Sequence, residues 1–100
     1  MNQTLVEAWD GGIRVSGSLR FDTVPECREI GIRLIRDGAR RVDLSGVGDA
    51  DSSALALLME WQRAAAREGH VLGFHAVPDS IREIAALSEM DRVLNLEKQS

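Results

Sequence analysis

The 100-residue chain is poor in three things, and each shortage closes off a class of function. A single cysteine, Cys27, excludes an internal disulfide framework and fits a reducing compartment, so the cytoplasm is the expected location. Basic charge is short: 12 Lys and Arg face 16 Asp and Glu, for a formal net charge of −4. Eleven of those twelve basic residues are Arg, and they are scattered rather than clustered. A general nucleic-acid binder would need a basic patch to displace counterions from phosphates, which argues against that class. Long apolar runs are also missing. The longest, Ala54 to Met59, is far too short to span a bilayer, and no N-terminal stretch joins a basic flank to an apolar run. Membrane association is therefore expected only through a partner.

The composition, 44% apolar and 28% charged, suits one globular domain over residues 1–100. A chain of this length buries roughly two-thirds of the surface it exposes when unfolded. That provides one core and one simple site, with little room for an enclosed catalytic cleft.

Period-two alternation runs from Ile13 to Phe21, with Ile13, Val15, Gly17, Leu19 and Phe21 on one side and Arg14, Ser16, Ser18 and Arg20 on the other. This predicts a strand with one face in water. Leu5 to Trp9 reads as a preceding strand, joined to it through the positive-φ residues of Asp10-Gly11-Gly12 as a tight antiparallel hairpin. The period then changes. Thr23 and Glu26 have capping-box spacing, Pro25 falls in the first turn, and Val24, Cys27, Ile30, Gly31 and Leu34 repeat at helical spacing. A helix over Val24 to Asp37, ended by Gly38, is expected. Next come a strand, Arg41 to Leu44, a loop, Ser45 to Asp51, and a long helix, Ser52 to Glu68, closed by Gly69. Val71 to Val77 reads as another strand, and Ser80 with Glu83 caps a third helix. Met90, Val93, Leu94 and Leu96 suit a short closing strand or helix, and Glu97 to Ser100 a frayed tail. The order β-β-α-β-α-β-α defines an α/β fold with a mainly parallel mixed sheet, an N-terminal antiparallel hairpin and helices packed on it.

In such a sheet, the loop from the carboxyl end of a strand into a helix is the favoured place for a site. Here it ends in Asp51-Ser52-Ser53. With Asp51 as N-cap, both serine hydroxyls fall in the first turn, beside unpaired amides and the positive end of the helix dipole. A phosphoryl group on either serine is stabilised by that helix end and repelled by Asp49 and Asp51, so modification would change the local surface without unfolding the domain. The plainer alternative is that the three residues only cap a helix. The helix that follows has an apolar arc of about 200°, wider than a helix lying on a sheet needs. Its flank at Leu55, Met59 and Ala66 either packs within the domain or, at Leu55 and Met59, forms an exposed docking patch near the serines.

Other chemistries have weaker support. Gly46-Val47-Gly48 begins like a dinucleotide loop, but Asp51 takes the third glycine position and no phosphate-loop Lys is present. Asp43, Asp49 and Asp51 are candidate ligands for a hard cation, though each has a simpler local role. His70 and His75 have no companions at zinc spacing, and no nucleophile elbow supports a serine hydrolase. Cys27, on the apolar stripe of its helix, reads as core. No cofactor is expected.

The β-β-α opening followed by Val42-Asp43-Leu44-Ser45 and Asp51-Ser52-Ser53-Ala54-Leu55 resembles the STAS family, shared by sulfate transporters and anti-sigma factor antagonists, over almost the whole chain. Ala54 to Leu58 and Val77-Pro78-Asp79-Ser80-Ile81 are most similar to the branch of small cytoplasmic STAS subunits of Mla phospholipid ABC transporters. That resemblance implies a non-enzymatic subunit that binds the transporter's ATPase and supports its assembly, its activity and outer-membrane lipid asymmetry. In that branch the hydroxyl residue after the Asp serves partner function, which maps to Ser52. Resemblance to the antagonists implies instead a partner switch, with an anti-sigma factor kinase phosphorylating the second serine, Ser53. The chain departs from the antagonist pattern at Ala54, where a glycine is expected; the change removes backbone freedom and a close-approach surface in the first turn.

Overall fold

A computed structural model describes residues 4–94 and 96. The chain opens with strands β1 (Leu5–Trp9) and β2 (Gly12–Leu19), paired antiparallel from Leu5 opposite Ser16 to Trp9 opposite Gly12. The two-residue turn between them needs positive φ at both positions, and Asp10 (52°) and Gly11 (77°) supply it. Helix α1 (Val24–Arg36) leads to β3 (Arg41–Ala50), which pairs parallel with β2. Helix α2 (Ser52–Arg67) leads to β4 (Gly73–His75), parallel to β3, and helices α3 (Asp79–Leu87) and α4 (Met90–Val93) follow.

The four strands lie in the order β1-β2-β3-β4, so the sheet grows in one direction. One face carries the core: Ile13, Val15 and Leu19 from β2, Val42 and Leu44 from β3 and Phe74 from β4 are buried beneath the helices. The other face is open. Across it the register aligns Glu7, Arg14, Asp43 and His75, one residue from each strand, and Arg14 stacks over the Trp9 ring 4.0 Å from its centroid.

Several expected boundaries move. β2 stops at Leu19 and not at Phe21, because the Thr23 hydroxyl accepts from the Arg20 amide (3.0 Å) and donates to the Ser18 carbonyl (2.9 Å), closing a turn. That hydroxyl is therefore not available for the expected capping box, and Thr23 precedes α1 without a side-chain cap bond. Ile30 is 36% exposed; the buried stripe of α1 runs through Cys27, Gly31 and Ile35. The segment Ser45–Ala50, expected as loop, continues β3 alongside β2, with Ser16 opposite Gly46 and Leu19 opposite Ala50. β4 is only Gly73–His75, because Ala76 turns left-handed (φ 56°). Ser80 lies inside α3, whose N-cap is Pro78; the Pro78 carbonyl accepts from Ile81 and Arg82, both at 3.0 Å. The closing segment contains the short α4 before buried Leu94 and Leu96, and the expected frayed tail, Glu97 to Ser100, lies outside the described residues.

Candidate functional site at the N-terminus of α2

β3 ends at Ala50 and α2 begins at Ser52, so Asp51 alone joins strand to helix. Its backbone is extended, and its Oδ1 accepts from the Ser53 amide at 2.9 Å, the N-cap arrangement expected from the sequence. Its Oδ2 accepts from the Phe21 amide at 3.1 Å, and the Asp51 amide donates to the Leu19 carbonyl at 3.1 Å. One residue thus ties the end of β2, the end of β3 and the start of α2. Desolvation alone would raise the Asp51 carboxyl. The Ser53 and Phe21 amides, the Ser53 hydroxyl and the Arg20 charge outweigh it and hold the group below the usual carboxylate range.

On this frame Ser52 is exposed and Ser53 half-buried. Arg20 leaves the end of β2 and pairs with Asp49 at 2.5 Å. That bond and the charges of Asp49, Asp51 and Asp22 raise the Arg20 pKa. Phe21 is 71% exposed beside the same helix end. Sequence periodicity puts it on the same side of the strand as Ile13, Val15 and Leu19; the signal that it departs from them lies in Thr23, whose hydroxyl reverses the chain before the ring can turn inward.

The proposed apolar flank of α2 needs correction. Leu55 is 6% exposed and belongs to the core, and Ala54, at 1%, also faces inward, so its methyl adds nothing to the outer surface of the first turn. Met59 is half-buried and lines a groove of about 200 Å³ with Gln62, Arg63, Ala66, Val93 and Leu94. The structure therefore brings Asp49, Asp51, Ser52 and Ser53 together and separates Leu55 and Met59 from them as surface features.

The carboxylates do not converge. Asp43 lies on the open sheet face, where the Ser45 amide donates to it at 2.9 Å and, with lesser help from the Ser45 hydroxyl, Arg14 and His75, lowers its pKa against desolvation. Asp49 pairs with Arg20 and Asp51 caps α2. Among the described residues, no group of three His, Cys, Asp or Glu side chains is placed to hold a metal ion. Gly46 and Gly48 are strand residues, not a phosphate cradle. Cys27 is buried, which pushes its thiol pKa up, further helped by the Glu26 charge. Among the described residues, no helix is long and apolar enough to cross a membrane.

An open-faced mixed sheet with an aspartate-capped, serine-bearing helix at the end of its third strand defines a small α/β domain. The chain belongs to the STAS domain family, on its MlaB-like side: the family model described as "Mlab, STAS domain" matches residues 7–97. The fold is similar to that in the crystal structure of an anti-sigma factor antagonist from Mycobacterium paratuberculosis, with 26% identity and a TM-score of 0.67 over 93% of this chain and 82% of that one. No curated protein sequence matches the chain significantly.

Proposed function

We propose that the protein is a non-enzymatic accessory subunit that binds the ATPase of a Mla-type phospholipid ABC transporter through the N-terminal end of α2. In this reading it works in the cytoplasm, at the inner face of the membrane through its partner, and supports transporter assembly and outer-membrane lipid asymmetry. The carrying observation is the exposed Ser52 hydroxyl, held on a frame that Asp51 fixes to two strands and a helix. A side chain so placed offers a partner a constant surface without a conformational change in the domain. The family match supports the choice of partner. Co-purification with the cognate ATPase tests it: the native chain is expected to be retained and Ser52→Arg to be lost. Undiminished binding by a folded Ser52→Arg chain removes this surface from the reading.

The likeness to an anti-sigma factor antagonist supports a second reading, a partner switch phosphorylated on Ser53. The inward-facing Ala54 leaves the outer surface of that turn unobstructed. Incubation with candidate anti-sigma kinases and intact-mass measurement should then show one added phosphate, lost in Ser53→Ala; an unchanged mass counts against the switch.

A further inference from the structure

Phe21 breaks the burial pattern of the strand it follows. Leu19 is fully buried, whereas Phe21 two residues later is 71% exposed. The chain around it is held: the Phe21 amide donates to Asp51, Arg20 pairs with Asp49, and the Thr23 hydroxyl closes the turn on Ser18 and Arg20. Three carboxylates, Asp22, Asp49 and Asp51, act on the Arg20 guanidinium. The result is an exposed aromatic side chain whose backbone is tied to Asp51, the residue before Ser52, within an acidic surround.

We propose that Phe21 is the anchor of the docking surface, and that its occupant is a protein face with an apolar socket rimmed by Arg or Lys. The proposal rests on the reading that this end of α2 binds the ATPase. A large aromatic set in a desolvated socket carries much of the energy at the centre of an interface. Anchoring of its backbone lowers the ordering cost on binding. The carboxylates outside the socket speed encounter with a cationic face and lose effect as salt rises. The same charges repel nucleic acid and anionic lipid, leaving a cationic protein as the complementary occupant.

The test is binding kinetics on the immobilised Mla-type ATPase subunit, with native, Phe21→Ala, Asp22→Lys and Ser52→Arg chains at low and high salt. Phe21→Ala should weaken binding at least about tenfold, mainly through faster dissociation. Asp22→Lys should slow association at low salt, with the difference shrinking at high salt. Loss of binding by Ser52→Arg, with Phe21→Ala within about twofold of native, overturns the anchor while sparing the interface. No binding by the native chain overturns the underlying reading and the anchor with it. Sedimentation of the chain alone supplies a further check, since a dimer abolished by Phe21→Ala would assign the ring to self-association and overturn the proposed occupant.

Discussion

Trp61 of α2 lies directly on the bare Cα of Gly31 in α1: a Cβ at Gly31 would stand 2.1 Å from Trp61 Cε2 and 2.2 Å from Cζ2. The indole is fully buried, and its Nε1 donates to the Arg28 carbonyl at 3.2 Å. Gly31→Ala must push the helices apart or force the ring from its rotamer, at a cost of about 1–3 kcal/mol. Urea denaturation reads this as a lower midpoint with the slope preserved. In a Trp61→Leu background the same substitution should cost less, and equal costs in the two backgrounds would show that the clash is not what limits this site.

Asp51→Ala should cost about 0.5–2 kcal/mol through loss of the α2 cap, whereas Asp51→Asn retains cap chemistry and should cost less at neutral pH. The native carboxyl titrates below its ordinary value of 3.8. Its contribution is therefore complete above that value and is lost as pH falls through the depressed folded value. Acid titration of stability should show a shallower decline in Asp51→Asn than in the native chain. Parallel acid limbs would show that Asp51 does not supply this linkage.

Gln62 acts as a short piece of strand. Its Oε1 accepts from the Leu72 amide at 2.7 Å and its Nε2 donates to the Leu72 carbonyl at 3.1 Å. Because Leu72 itself is 1% exposed, Gln62→Ala leaves its backbone groups without these partners, at a cost of about 1–3 kcal/mol. Hydrogen exchange at the Leu72 amide should accelerate in the variant, and unchanged protection would mean that another group takes over.

Cys27 is 2% exposed, and burial raises its thiol pKa. At mildly alkaline pH it should react with a disulfide reagent far more slowly than a free cysteine, with reactivity appearing through the urea transition. Fast labelling under native conditions would contradict its place in the core.

The hairpin, α1, α2 and the capping role of Asp51 were legible in the sequence, because each has a local cause: a positive-φ dipeptide, a helical apolar stripe, or an aspartate two residues before the amide it accepts from. The rest depended on distant contacts. Ser45–Ala50 has the composition of a loop, yet β2 supplies its hydrogen-bonding partner, and Gly46 fits because a Cβ there would lie 2.8 Å from the Ser16 Cβ. Leu55 looked surplus to a helix on a sheet, but the core accommodates it beside Ala54. Phe21 continued an alternation that the Thr23 turn cuts short.

The strand order β1-β2-β3-β4 also bears on biosynthesis. Each strand joins the edge left by the one before it, so during vectorial synthesis its sheet partner has always left the ribosome first. Among the described strands, none has to be wedged between two that are already paired. The sheet can be completed by accretion, and Asp51, which binds backwards to Leu19 and Phe21 and forwards to Ser53, can set the serine-bearing turn before the last third of the chain has been made.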